Sequence, residues 1–333
     1  MKLFNTKFNI ISVVFVIIVI GGLVFLAVRS GQTGRQSSTI NHIPDELVEQ
    51  RKDSKTLTLD DLTWGCPRQD CIPSIDDPKF ESLDDADKWL RDEDLVFGLV
   101  HKGVVRAYPQ RILNWHEIVN DTVAGDPIAI TFCPLCVTSL AFERVVNGQT
   151  AEFGVSGRLL DSNLVMYDRL EESLWQQITG EAIIGPAALR GEKLKRVSIA
   201  PSTWENWKEN HPDTEVLSRD TGHVRNYGLY PYGAYEDNDQ IFFGIRNSDF
   251  RLPIKDVGYG IEIGDSPKYY SESILKENKT IEDSLGGVNI KIEYKKDSEV
   301  VITNLDSGEA IVPIRGFWFS WASFFPDTDI FIK

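Results

Sequence analysis

Beyond residue 56 the apolar positions keep two rhythms. Val96 to Val100 and Val104 to Tyr108 alternate about a Lys102-Gly103 turn and predict a β-hairpin. Pro109 then opens a stretch, Gln110 to Val119, in which Ile112, Trp115, Ile118 and Val119 fall at helical spacing. Ile128 to Phe132 reads as an apolar strand behind Gly125-Asp126-Pro127, and Phe142 to Val146 and Thr150 to Val155 flank Asn147-Gly148, a strong hairpin signal. Helical stretches are too few for a run of βαβ crossovers, so mostly antiparallel sheets are expected, in the α+β class.

The same rhythm occurs twice. With Gly98 set against Gly260, Tyr108 meets Tyr270, Ile112-Leu113 meets Ile274-Leu275, Asp121-Thr122-Val123 meets Asp283-Ser284-Leu285, and Ile128, Ile130 and Phe132 meet Ile290, Ile292 and Tyr294. A second match sets Trp204, Trp207 and Pro212-Asp213-Thr214 against Trp318, Trp321 and Pro326-Asp327-Thr328, at an offset of 114 rather than 162 residues. The first copy therefore holds 48 more residues between these landmarks. The expected organisation is a duplication: a first α+β unit over 57–220 and a second, degenerate one over 240–333. Cys133, Cys136 and His116 align with Lys295, Ser298 and Asn278, so the second unit keeps the scaffold and loses the chemically capable groups.

Ahead of these units, Ile10 to Val28 is nineteen residues without a charge, long enough for a transmembrane helix. No small-residue cleavage site follows it, which favours an uncleaved anchor over residues 1–29, with a polar linker over 30–56. The flanking Lys2 and Lys7 weakly favour a single pass through the cytoplasmic membrane with the C-terminal part outside. Beyond Arg35 the chain holds 31 basic against 50 acidic residues. That surface repels phosphate backbones and argues against nucleic acid as a partner; the membrane is the expected partner, through the N-terminal helix.

Three stretches, WHEIVNDTVAGDPIAITFCPLC, FGVSGRLLDSNLVMYDRLEESLWQQITGEAIIGP and FWFSWASFFPDT, resemble the bacterial and archaeal domain-of-unknown-function family 3179. The resemblance runs from about Ile72 to Thr328. It implies an exported or anchored protein whose hallmark is the Cys-Pro-Leu-Cys pair, and it implies no particular reaction. The chain departs from the family pattern in three places. Val137 follows Cys136 where glycine is usual, Cys71 stands within Asp70-Cys71-Ile72-Pro73 where members read Asp-Gly-Ile-Pro, and Phe325 replaces a common histidine.

The four cysteines fall into two pairs. Cys66 and Cys71 close a short loop and read as a structural disulfide; a single four-cysteine zinc site made from both pairs is the alternative. Cys133 and Cys136 have three readings. They can grip a soft metal, copper before zinc, with His116 and Met166 completing the set; they can exchange disulfides; or they can be an inert pair. A lone methionine is more often core, and a lone histidine beside Trp115 more often structural. The extra segment, in which Asn163 to Asp168 alternates as a strand, offers Arg158, Asn163, Asp168, Arg169, Gln176 and Glu181 as a ligand cleft, although exposed loop polarity explains most of these residues. No Ser-His-Asp order, phosphate loop or His-rich zinc helix occurs, so hydrolase and nucleotide-enzyme readings find no support.

Overall fold

The hairpin predicted about Lys102-Gly103 forms, and neighbouring strands extend it into a sheet. The one about Asn147-Gly148 is reduced to an isolated ribbon of Val145–Val146 and Gln149–Thr150, because Phe142 and residues 153–155 pair with other strands. The computed structural model describes residues 57–295 and 299–332. The anchor expected over Ile10–Val28 and the linker to residue 56 lie outside the described residues. Among the described residues no helix is long and apolar enough to cross a membrane.

Strands make up 41% of the structure and helices 15%, in five small sheets arranged as a five-bladed β-propeller. The expected α+β class is therefore corrected to mostly β. Among the described residues the helices run to at most seven residues and lie between strands in the chain, so they form no layer of their own. The first blade is ordered Ala200–Thr203, Leu95–His101, Val104–Pro109, Glu215–Leu217 and Phe80–Glu81; the second is Arg196–Val197, Thr138–Glu143, Asp126–Cys133 and Ile118–Val123. A third contains Thr63–Trp64, Phe153–Leu160, Asn163–Asp168, Leu174–Gln176 and Ala182–Ile184. The fourth is Ile314–Phe317, Val257–Ile263, Ser266–Ser271 and Asp329–Ile330, and the fifth Thr280–Leu285, Val288–Tyr294, Val300–Asn304 and Ala310–Ile311. Pairing is antiparallel except where Glu215–Leu217 meets Val104–Pro109 and Asp329–Ile330 meets Ser266–Ser271.

The repetition in the sequence is a repetition of blades. Strands Leu95–His101 and Val104–Pro109 reappear 162 residues later as Val257–Ile263 and Ser266–Ser271, while Ala200–Thr203 reappears 114 residues later as Ile314–Phe317. The 48-residue difference is taken up by the third blade. The expected strand Asn163–Asp168 forms, buried along its whole length, and Arg158 and Gln176 to either side of it lie in sheet rather than in exposed loop.

The two sequence landmarks turn out to touch. An ideal Cβ on Gly98 would lie 2.0 Å from the Trp207 ring, and one on Gly260 would lie 2.2 Å from Trp321. In each pair the indole N–H donates to a threonine hydroxyl, Trp207 to Thr214 at 3.0 Å and Trp321 to Thr328 at 2.8 Å. A ring stacks on each indole with centroids 4.0 Å apart, His211 on Trp207 and Phe325 on Trp321. Phe325 thus fills a packing position. Glycine is required because the strand backbone lies directly on an aromatic face.

One element ends earlier than its apolar spacing predicts. The helix covers Gln110–His116 only, because Glu117 takes a positive φ of 58°, and Ile118 and Val119 belong to the next strand. Helical and strand periods overlap at these two positions, so the spacing could not separate them. The sister helix Glu272–Asn278 stops in the same way at Lys279, with φ 62°.

Candidate functional site

Cys133 ends the strand Asp126–Cys133, and Cys136 lies in the four-residue hairpin loop that leads into Thr138–Glu143. The loop is closed by the Cys136 N–H donating to the Cys133 carbonyl at 3.2 Å. Both cysteines are free and buried. Their thiols converge on one acceptor, the Ser162 carbonyl, at 3.8 Å from Cys133 Sγ and 3.2 Å from Cys136 Sγ. Ser162 is held there by the tight turn between two strands of the third blade, where Asp161 and Ser162 both have positive φ. Arg246 clamps that turn through Asp161, donating from its backbone N–H at 2.7 Å and from its guanidinium at 2.5 to 3.1 Å.

Val137 has φ +49° and is buried. A β-branched residue is strained in this left-handed region, which glycine enters at no steric cost. Val137→Gly is therefore expected to be more stable than Val137→Ala by about 1 kcal/mol, reversing the ordinary order of these two residues. Urea unfolding of the two variants checks this; an alanine variant as stable as the glycine one would be incompatible with the left-handed turn.

The thiols sit among weak acids. Burial, the adjacent Cys136 thiol and the charge of Glu117 hold the Cys133 thiol well above its usual pKa. Glu117 is itself buried, which raises its carboxyl to about 7, and Tyr232 donates to its Oε1 at 3.2 Å. Tyr235 donates to the Leu135 carbonyl inside the cysteine loop at 3.0 Å. The Tyr232 and Tyr235 hydroxyls are shifted upward, first by burial and next by these same acidic groups. Among the described residues, no Lys, Arg or His side chain bonds to Glu117, Cys133, Cys136 or the Tyr232 hydroxyl.

An irregular segment, residues 227–246, covers this cluster. Tyr232 and Tyr235 come from it, Ile241, Phe243 and Ile245 pack on the apolar residues around the cysteines, and its Phe243 carbonyl accepts from Ser162 Oγ at 2.7 Å. It lies largely in the gap between the two units expected from sequence, which is why these residues went unnoticed. Glu117 left a signal that could have been read. Its carbonyl accepts from Phe132 N–H just as that of Lys279 accepts from Tyr294 N–H, yet Glu117 is buried and Lys279 exposed.

The expected ligands divide. Met166 belongs to the same buried cluster as Cys133 and Cys136. His116 is committed elsewhere. Its Nδ1 lies 2.8 Å from the Pro73 carbonyl, which can only accept, so Nδ1 carries the proton and Nε2 accepts from the Tyr227 hydroxyl at 2.8 Å. Burial, opposed by the Pro73 bond and aided by the charges of His223 and Arg225, lowers its pKa to about 4 and keeps it neutral. Among the described residues no group of three or more His, Cys, Asp or Glu side chains is placed to hold a metal ion.

The residues expected to form a ligand cleft are spread through the third blade. Asn163, Gln176 and the neighbouring Gln177 join Thr131 and Thr138 in a buried network, with Gln176 Nε2 donating to Asn163 Oδ1 at 2.7 Å and Asn163 Nδ2 to Gln177 Oε1 at 3.0 Å. Asp168 accepts from the Leu170 and Glu171 N–H groups and from the Trp175 indole, fixing a turn. Arg169 pairs with Asp76, Glu152 and Asp70, Arg158 lies over the Trp64 ring, and Glu181 is exposed beside Lys193. Cys66 and Cys71 form the disulfide, and the loop they close aims Asp70 at Tyr167 and Arg169.

No curated protein and no solved structure matches the chain. A family model described as protein of unknown function, DUF3179, matches residues 69–312, which takes in four of the blades almost whole and the cysteine pair with its surroundings, and the chain belongs to that family.

Proposed function

We propose that Cys133 and Cys136 bind a single soft monovalent ion, with Cu(I) favoured, and that the protein handles this ion outside the cytoplasmic membrane, held there by the Ile10–Val28 segment. The observation that carries the reading is the convergence of two free thiols on the Ser162 carbonyl beside the buried Glu117, with no Lys, Arg or His side chain bonded to these three acidic groups among the described residues. Such a cluster gains from a cation. Two thiolate sulfurs in an apolar enclosure suit two-coordinate Cu(I), whereas zinc asks for four ligands. On binding, each thiol gives up its proton, and Glu117, whose charge acts on Cys133 and whose pKa is near neutrality, is a group able to take those protons up. With Glu117 protonated, the two thiolates and one Cu(I) leave a single negative charge in the site.

Thiol–disulfide exchange is the weaker reading. The pair lies in a hairpin loop rather than at a helix N-terminus, and the Cys133 thiol is shifted away from the thiolate that exchange requires.

The test is anaerobic loading of the full chain against a chromogenic Cu(I) chelator. One copper per chain is expected for the wild type and for His116→Gln, and none for Cys133→Ser combined with Cys136→Ser in a variant that melts as a folded protein. Equal retention by the double serine variant, or none by the wild type, sinks the proposal.

A further inference from the structure

The helix Gln110–His116 has chemistry on a second face. A cavity of about 550 Å³ opens between it and residues 218–228, lined by Arg111, Arg219 and Arg225, by the carboxylates Glu81 and Asp220, and by the Trp89 and Tyr227 rings among others. An adjoining cavity of about 340 Å³ shares Arg111 and Tyr227 and is otherwise acidic, with Asp94, Glu236 and Asp237 in its lining. The size falls within the range of small-molecule sites.

Three arginines are unexpected in one cleft of a chain with a net charge of −15. Arg111 is paired with Asp94 at 2.6 Å. Arg219 and Arg225 have no carboxylate partner among the described residues: Arg219 stacks on Trp89, 4.8 Å from its ring centroid, and Arg225 donates to the Val224 carbonyl. Guanidinium groups left without carboxylates are ready donors for an oxyanion. Glu81 and Asp220, in the lining beside these arginines, are acceptors that a hydroxyl or amine on the same ligand would meet. The floor is rigid, because Tyr227 is held by His116 at 2.8 Å and by Thr221 at 2.6 Å.

We infer that this cleft binds a small organic oxyanion, a phosphate ester or carboxylate that also carries a hydroxyl or amine. The anionic group meets Arg219 and Arg225, and the hydroxyl or amine meets Glu81 and Asp220. The acidity of the surrounding surface excludes long polyanions while leaving a compact one free to enter.

Glycerol 3-phosphate is a suitable probe, with glycerol as its uncharged counterpart, titrated calorimetrically into the full chain at physiological salt. Saturable binding of glycerol 3-phosphate and none of glycerol is expected. Arg219→Ala with Arg225→Ala should weaken binding at least tenfold. Lys193→Ala with Lys195→Ala removes the same charge elsewhere and should change it less than twofold, all variants having wild-type melting behaviour. Absence of saturable binding, equal binding of glycerol, or equal weakening by the two double variants would overturn the assignment.

Discussion

Replacing Glu117 with glutamine is expected to stabilise the protein at neutral pH by up to about 3 kcal/mol and to uncover a pH dependence that the wild type hides. Burial raises the Glu117 carboxyl from 4.5 to about 7, so its contribution to stability is complete below pH 4.5 and is lost as pH rises through 7. The adjacent His116 is shifted the other way, from 6.5 to about 4, so its contribution is complete above pH 6.5 and is lost as pH falls through 4. Between pH 4.5 and 6.5 the two slopes are equal and opposite, and they cancel. Removing Glu117 leaves stability rising with pH across that window, whereas His116→Gln leaves it falling. Denaturant unfolding of the three proteins at several pH values measures this. A wild-type-minus-variant difference that stays flat from pH 4.5 to 7 in Glu117→Gln would mean that the carboxyl is not buried as described.

Gly98→Ala is expected to cost about 3 kcal/mol or more, an unusually large penalty for one methyl group. The new Cβ would stand 2.0 Å from the Trp207 ring, and the obstacle is a ring already fixed by Thr214 and His211, so the strand itself would have to move. Trp207→Leu in the same chain should recover much of the loss, with a coupling energy of about 2 kcal/mol in the double-mutant cycle. Gly260→Ala with Trp321→Leu should behave alike, since the same contact recurs there. Simple additivity in either cycle would show that the glycine and the ring do not meet.

Strand hairpins were legible because each is written in consecutive residues: the alternation to either side of Lys102-Gly103, Asn147-Gly148 and the Asn163–Asp168 run all formed strands. The fold class was not legible, since the sheets are completed by residues far apart in sequence. Thr63–Trp64 joins Phe153–Leu160, and Glu215–Leu217 lies between Val104–Pro109 and Phe80–Glu81. The register between the two copies located Gly98 and Trp207 as separate landmarks. That they are the two halves of one contact appears only in three dimensions.

The candidate site divides along the same line. Sequence by itself determined that Cys133 and Cys136 are neighbours, that Cys66 and Cys71 could bridge, and that the second copy has neither Cys133 nor Cys136, because spacing of a few residues limits geometry directly. Tertiary structure decided everything that depends on which distant backbone faces those groups. It gave both thiols a common acceptor in Ser162, enclosed them beneath Tyr232 and Tyr235, placed the Glu117 charge beside Cys133, and turned His116 toward Pro73 and Tyr227. Burial and electrostatic shifts are sums over neighbours in space, and a linear order of residues contains no such sum until the chain has folded.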